Sequence, residues 1–285
     1  MYFHGKERTL TMTLANVKNV KTIRKNVLKT VLESKKRLTP IALENKISQK
    51  FALKRKQTKS VIRDLVAQQE LTYTYQYGCT FLEQSFNKPV RVSTYVVLKP
   101  PESDYPPKSG DVVVEIRPGA SFGTGQHPTT RLAIRGIEYA LTRSDFIKHQ
   151  ETCLFDIGTG SGVLAIAAVR FGITKGIGTD TDPCSISEAK ENVKINGLED
   201  QIIICDEPAE NIRKSFSLII ANLRYPTLKQ LSLHISELTG KNGFVILSGI
   251  KADELADLLN VYRIRHFECQ WKETEKDWAG VVLKK

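Results

Sequence analysis

The stretch Asp156-Ile157-Gly158-Thr159-Gly160-Ser161-Gly162 decides how the rest of the chain is read. It follows the apolar run Cys153-Leu154-Phe155 and precedes a small-residue helical pattern from Val163 to Phe171. That order predicts strand, tight glycine turn and helix. Glycine tolerates positive φ and lets a ligand approach bare main chain. The helix start behind it offers unpaired N–H groups to polar ligand atoms. The glycines alone fit a plain tight connection between strand and helix equally well. Spacing narrows the ligand. A dinucleotide fingerprint needs G-x-G-x-x-G, but position 163 is Val163 and the third glycine comes one residue early, at Gly162. No Lys-Ser/Thr pair follows, which excludes a P-loop.

A second short strand, Gly176-Ile177-Gly178-Thr179, ends in Asp180, and Thr181-Asp182-Pro183 follows. A carboxylate at the tip of the second strand of a βαβ unit can accept both hydroxyls of a ribose, and Asp180 is read that way. Asp182-Pro183 has the form of a helix start, with Asp182 as N-cap and Pro183 at the first helical position.

With these residues on the page, the chain resembles the class I S-adenosylmethionine-dependent methyltransferases, which carry a D-x-G-x-G-x-G loop and an acid after the second strand. More closely it resembles the ribosomal protein L11 methyltransferases. Their hallmarks stand here as Pro118-Gly119-Ala120-Ser121-Phe122-Gly123-Thr124-Gly125-Gln126-His127-Pro128-Thr129-Thr130, Asp156 to Gly162, Asp180 to Pro183, Ala221-Asn222-Leu223 and Leu247-Ser248-Gly249-Ile250. The resemblance runs from about Val112 to Lys285 and leaves the first hundred residues uncovered. It implies a doubly wound, seven-stranded Rossmann-like sheet and S-adenosyl-L-methionine as cofactor. By the same likeness Phe122, Gly123, Thr124 and Thr130 line the cofactor site beside Asp156, Gly158, Gly160, Gly162 and Asp180. Capping is the competing role for Thr129 and Thr130. His127 is read as a hydrogen-bonding strut rather than a proton acceptor.

The remaining strands carry the same logic. Ile202 to Cys205 is an apolar strand followed by Asp206, which either faces an adenine edge or, with Pro208 nearby, makes a turn. Phe216 to Ala221 is a fourth strand ending at Asn222. Helix, strand and helix are expected over Thr227–Leu238, Gly243–Ser248 and Ala252–Leu259, and two closing strands over Arg263–Trp271 and Trp278–Leu283. Continuous apolar strands alternating with helices indicate a largely parallel sheet covered on both faces. Ligands bind such sheets beyond the carboxyl ends of the strands, where strand order reverses. Asp156, Gly158, Asp180, Asp206 and Asn222 all fall at those ends. Asn222 is the expected catalytic residue, because its side-chain oxygen can accept an N–H bond from an amine aimed at a methyl donor. Arg224 places a cation near the expected entrance.

The chain has 285 residues, 42 Lys+Arg, 31 Asp+Glu and a formal net charge of +11. Residues 1–100 hold 20 basic and 6 acidic side chains, and residues 101–285 hold 22 and 25. The basic excess therefore lies wholly outside the resemblance. Such asymmetry points to an acidic partner such as nucleic acid, or serves only solubility. No apolar run approaches the ~20 residues that span a bilayer, and residues 1–8 lack a secretory apolar core. Five scattered cysteines without a C-x-x-C pair point to a reducing, cytoplasmic compartment and to no metal site.

Residues 1–19 read as a loose lead-in. Helical periodicity follows over Val20–Lys35, Ile41–Phe51 and Gln57–Gln69, with Lys56, Lys59 and Arg63 on the outer side of the third stretch. Strict alternation of Leu71, Tyr73, Tyr75 and Tyr77 predicts a strand, Gly78 a turn and Thr80-Phe81-Leu82 a return strand. Three helices and a hairpin make a winged-helix-like domain over 20–99, its third helix placed for recognition. The tyrosines are expected to pack against a core. Four prolines and a glycine in 100–110 are expected to form a stiff linker, with the methyltransferase domain over 111–285. The first functional expectation is N-methylation of lysine or terminal amines on a ribosomal protein. The second is methylation of RNA or DNA held by the basic domain. The third is a cofactor-sensing, nucleic-acid-binding regulator without turnover.

Overall fold

The computed structural model describes residues 14–34, 36–76, 78–143 and 152–285. The chain divides into two compact units, Met1–Ser85 and Phe86–Lys285.

The first unit holds α1 (Leu14–Glu33), α2 (Pro40–Phe51), α3 (Arg55–Ala67), β1 (Leu71–Gln76) and β2 (Cys79–Gln84). Ile23, Val27 and Val31 recur every four residues and meet Leu43, Ile47, Ile62, Leu65, Leu71 and Leu82 in one core, as helical spacing requires. Thr39 caps α2 by accepting the Ala42 N–H at 3.2 Å, with Pro40 opening the helix. β1 and β2 pair antiparallel, and Leu38 bridges Leu82. Two expectations change. The first helix starts at Leu14, not Val20, so only 1–13 of the expected lead-in lies outside the described residues. The tyrosines of β1 do not face a core: Leu71 is 1% exposed, but Tyr73 is 48% and Tyr75 74% exposed. Tyr77 lies outside the described residues.

The second unit opens with β3 (Val90–Arg91), β4 (Val96–Lys99) and β5 (Val112–Glu115), which form their own sheet in that order. The division thus falls at 85/86 rather than in the proline stretch. Residues 86–99 belong here because β4 pairs in parallel with β5 across those prolines. The proline segment is a tied crossover rather than a free linker. Asp111 accepts from Arg91 at 2.6 Å, from the Tyr105 hydroxyl at 2.6 Å and from the Lys108 N–H at 3.0 Å.

The rest alternates: α4 (Pro128–Leu141), β6 (Cys153–Ile157), α5 (Val163–Arg170), β7 (Lys175–Thr179), α6 (Pro183–Ile195), β8 (Ile202–Cys205), β9 (Phe216–Asn222), α7 (Tyr225–Gln230), α8 (Ser232–Leu238), β10 (Thr239–Lys251), α9 (Leu255–Ile264), β11 (Glu268–Glu275) and β12 (Trp278–Lys284). The helix expected over 227–238 is two helices, and α9 continues to Ile264, where the sequence reading already had strand. The sheet has seven strands in the order β11-β12-β10-β9-β6-β7-β8. β10, β9, β6, β7 and β8 run parallel, and β12 is antiparallel to both its neighbours. Successive residues of each central strand enter opposite cores. Leu154, Leu218, Ile220 and Ile246 pack with α4, α5 and α6 residues, while Phe155, Ile219, Ala221, Val245 and Leu247 pack with α7, α8 and α9 residues. Burial on both faces is why these strands read as continuous apolar runs. From β6 the chain builds outward through β7 and β8, then returns to add β9 on the other side, so strand order reverses between β6 and β9. No described helix is long and apolar enough to cross a membrane.

Candidate active site

Asp156 and Asn222 flank that reversal. Asp156 is fully buried on β6, opposite Ile220 of β9. Asn222 ends β9, one residue past the Ile157–Ala221 pair and opposite Ser248 of β10. Ser248 donates to the Thr129 carbonyl at 3.0 Å, which ties the start of α4, and with it Thr130, to the same strand ends.

The glycine turn leaves β6 with positive φ at Gly158, Gly160 and Gly162. At Gly160 a Cβ would stand 2.4 Å from the Phe122 carbonyl oxygen, so only glycine fits. Four of the turn's donors, those of residues 159–162, are committed. Thr159 N–H bonds the Thr179 carbonyl (2.9 Å), Gly160 N–H the Asp180 carboxylate (2.9 Å), Ser161 N–H the Phe122 carbonyl (2.8 Å) and Gly162 N–H the Thr159 carbonyl (3.0 Å). The free donors expected at the start of α5 are a separate set; the N–H groups of residues 159–162 are taken. Parallel β7 and its terminal acid come close enough to take them. Asp180 also accepts the Asp182 N–H at 3.0 Å, leaving lone pairs on both oxygens.

Segment 115–121 is held by one face of α6. Asn196 pairs with both main-chain groups of Glu115 (3.0 and 2.7 Å), Asn192 accepts the Arg117 N–H (3.0 Å) and donates to the Ser161 carbonyl (2.9 Å), and Glu188 accepts the N–H groups of Ala120 and Ser121 (2.9 and 3.0 Å). Burial pushes Glu188 up, but the donors from Ser121 and Ala120 outweigh it and hold the carboxylate below its usual range. Residues 188, 192 and 196 lie one helical turn apart. The sequence reading missed this row. Its signal was polar residues at four-residue spacing on a face that turns out to be largely buried. Phe122 is half exposed, its ring 5.1 Å from that of His127. Gly123 is buried against Ser161, and Thr124 lies beside it, half-buried. His127 is the strut it was read as: it caps α4 by accepting the Thr129 N–H at 3.3 Å, and Nδ1 lies 2.8 Å from the Thr129 hydroxyl. Asp206 follows β8 and is exposed. Arg224 is exposed at the start of α7.

Several buried polar atoms of these segments have no hydrogen-bond partner among the described residues: Thr130 Oγ1, Asp156 Oδ1, Ser161 Oγ and Asn222 Oδ1. Buried polar groups are normally hydrogen-bonded, so these four atoms are candidates to meet a polar ligand. Ser161 was not among the expected site residues, although it sits between two of the motif's glycines. Burial raises Asp156 to about 7, despite the Thr159 hydroxyl donating at 2.7 Å. A raised acid keeps its proton in the folded chain after the unfolded chain has lost it. Stability therefore falls as pH rises from about 4 to about 7. Asp156→Asn keeps an acceptor for Thr159 and is expected to remove that contribution. Urea titrations of ligand-free protein at pH 5 and pH 8 check this: equal pH dependence in both proteins would refute the raised value.

A seven-stranded sheet with an antiparallel strand next to one edge, and acids and an amide gathered where strand order reverses, defines the methyltransferase class of α/β folds. A solved structure of ribosomal protein L11 methylase from Lactobacillus delbrueckii subsp. bulgaricus superposes with a TM-score of 0.61 at 29% identity, covering 69% of this chain and 97% of that one. The model of the family "Ribosomal protein L11 methyltransferase (PrmA)" matches residues 15–285, and the chain belongs to that family. The match thus reaches well into the first unit, which the resemblance read from the sequence left out. Curated ribosomal protein L11 methyltransferases from Geobacter metallireducens and Alkaliphilus oremlandii are 38% and 33% identical over 194 and 202 residues, or 68% and 70% of this chain. The chain spans 62% of the length of each of these relatives.

Proposed function

We propose that the second unit is an S-adenosylmethionine-dependent methyltransferase that N-methylates lysine or terminal amines of an L11-like ribosomal protein. The observation that carries this reading is Asn222 Oδ1, buried and unpartnered at the end of β9 beside the reversal of strand order. The remaining orphaned polar atoms and the tight glycine turn fit a nucleoside bearing polar groups but no phosphates. When bound, the cofactor supplies an electrophilic methyl group on a sulfonium. Asp180 accepts ribose hydroxyls, the Gly158–Gly162 turn lets the nucleoside approach main chain, and Asp206 takes the adenine edge. Phe122, Gly123, Thr124 and Thr130 close the other side. With the cofactor bound, Asn222 would accept an N–H bond from the neutral amine and so orient its lone pair for transfer, since a displacement of this kind depends chiefly on orientation.

The first unit is read as a winged-helix module: three helices, a hairpin and the Leu38–Leu82 bridge in that order support it. Its basic composition favours a second reading, methylation of RNA or DNA held by that module. The intact site argues against a sensor without turnover. Incubating the protein with methyl-labelled cofactor and an extract of the source organism, then separating protein from nucleic acid, distinguishes them. Label in a small ribosomal protein supports the first reading, and label confined to nucleic acid replaces it with the second.

Asp180→Ala is expected to weaken cofactor binding by about tenfold or more, because a charged hydrogen bond and the anchor of Gly160 are lost together. Native affinity by titration calorimetry would refute the ribose role.

A further inference from the structure

We propose that the first unit holds single-stranded RNA through the basic face of α3 and the exposed tyrosines of the β1–β2 hairpin. The charge of the whole chain resides in this unit. Residues 1–85 hold 17 Lys+Arg against 6 Asp+Glu, a net of +11, while residues 86–285 hold 25 of each. Within α3 the excess is focused. Lys56, Lys59 and Arg63 stand at i, i+3 and i+7, all exposed, on the side away from the buried Thr58, Ile62 and Leu65. Residues at that spacing share a helix face. None of the three makes an ion pair or side-chain hydrogen bond among the described residues. Glu44 pairs with Arg55 and Glu83 with Arg37, and the acid of α3, Asp64, projects from a different side of the helix, about 80° or more around from each of the three cations. A row of unneutralised cations suits a phosphate backbone, whose counterions it displaces.

The hairpin selects the form of nucleic acid. Tyr73 and Tyr75 point the same way from β1 and are 48% and 74% exposed. Large aromatic rings left in solvent, about 7 Å apart along a strand, form a platform on which unpaired bases stack. A duplex keeps its bases inside and has no use for such rings, and an acidic protein needs only the cations. RNA rather than DNA follows from the ribosomal acceptor proposed above, and that choice rests on that reading.

The test is fluorescence anisotropy of the full chain with a labelled mixed-sequence 20-nucleotide RNA, across a range of salt. Wild type is expected to bind at low salt with a steep salt dependence. The variant Lys56→Gln/Lys59→Gln/Arg63→Gln should flatten the log–log salt slope by about 2, from roughly 0.7 per phosphate contact on a single strand. Tyr75→Ala should lower affinity by about fivefold or more with the slope unchanged. Circular dichroism of each variant reports whether it is folded. Absence of RNA binding at low salt, binding untouched by both sets of substitutions, or tighter binding to duplex DNA or polyglutamate would each overturn the proposal. Equal binding of single-stranded DNA overturns the choice of RNA. Methyl transfer to acceptor protein, assayed separately, shows whether the catalytic reading stands or falls on its own.

Discussion

Asn222→Ala is expected to lower methyl transfer at saturating cofactor by about tenfold or more, and to change cofactor affinity by no more than a few-fold. The split follows from the residue's position. Asn222 is the last residue of β9, and its side-chain oxygen is buried without a partner, whereas its main chain lies in the ladder opposite Ser248. Removing the side chain therefore leaves the strand paired and the glycine turn intact. It also removes a buried, unsatisfied acceptor, so the folded state gives up no internal hydrogen bond through Oδ1. What is lost is an acceptor for an incoming amine. Single-turnover rates with an L11-like acceptor, set beside calorimetric cofactor affinity, decide the point. A native rate, or a loss of cofactor binding as large as the loss of rate, removes Asn222 from the orienting role.

Gly160→Ala should have the second-largest effect, on cofactor affinity and stability together. Gly160 has φ +56°, where a side chain costs about 1–3 kcal/mol, and a Cβ there would collide with the Phe122 carbonyl at 2.4 Å. That obstacle is main chain and cannot rotate away. It is also the carbonyl that accepts the Ser161 N–H, so the collision parts the turn from segment 118–123. Gly197 supplies the control, with φ +64° and nothing within 4 Å of its Cβ. Gly197→Ala carries the conformational cost alone, roughly 2–12 °C in melting temperature for a unit of this size. Gly160→Ala should exceed it and weaken cofactor binding by about tenfold or more, as expected when a positioned binding surface is displaced. If calorimetry finds the two variants alike in both stability and affinity, Phe122 does not press on the turn.

Much of the second unit was legible because its signals are local. The strands are buried on both faces, so Leu154-Phe155 and Leu218 to Ala221 announce themselves as unbroken apolar runs. The glycine turn declares its own conformation. What stayed hidden depends on distant partners. Val96 to Lys99 looked like the end of the first domain because its partner β5 lies beyond four prolines, and no periodicity reports a parallel pairing across such a gap. Alternation in Leu71, Tyr73 and Tyr75 revealed a strand but not where the core beneath it stops. Glu188, Asn192 and Asn196 read as an ordinary polar helix face, since the segment they hold is about 70 to 80 residues earlier in sequence. That the turn's own N–H groups are taken was hidden for the same reason: three of the four acceptors, Thr179, Asp180 and Phe122, come from other strands and loops.

Those committed donors bear on how the site behaves in a mixture of adenosine compounds. Adenosine triphosphate shares the nucleoside half of the proposed cofactor and competes for any pocket that reads the base and sugar alone. Phosphate-binding turns attract such competitors by pointing bare N–H groups at them. Here the N–H groups of residues 159–162 face inward to protein acceptors, and carboxylates stand at the tips of β7 and β8. In the proposed site a polyanion would find the N–H groups of residues 159–162 taken and would meet charges of its own sign, whereas a cationic sulfonium would not. In the proposed site, the same glycine geometry that elsewhere captures nucleotides is thus expected to disfavour them.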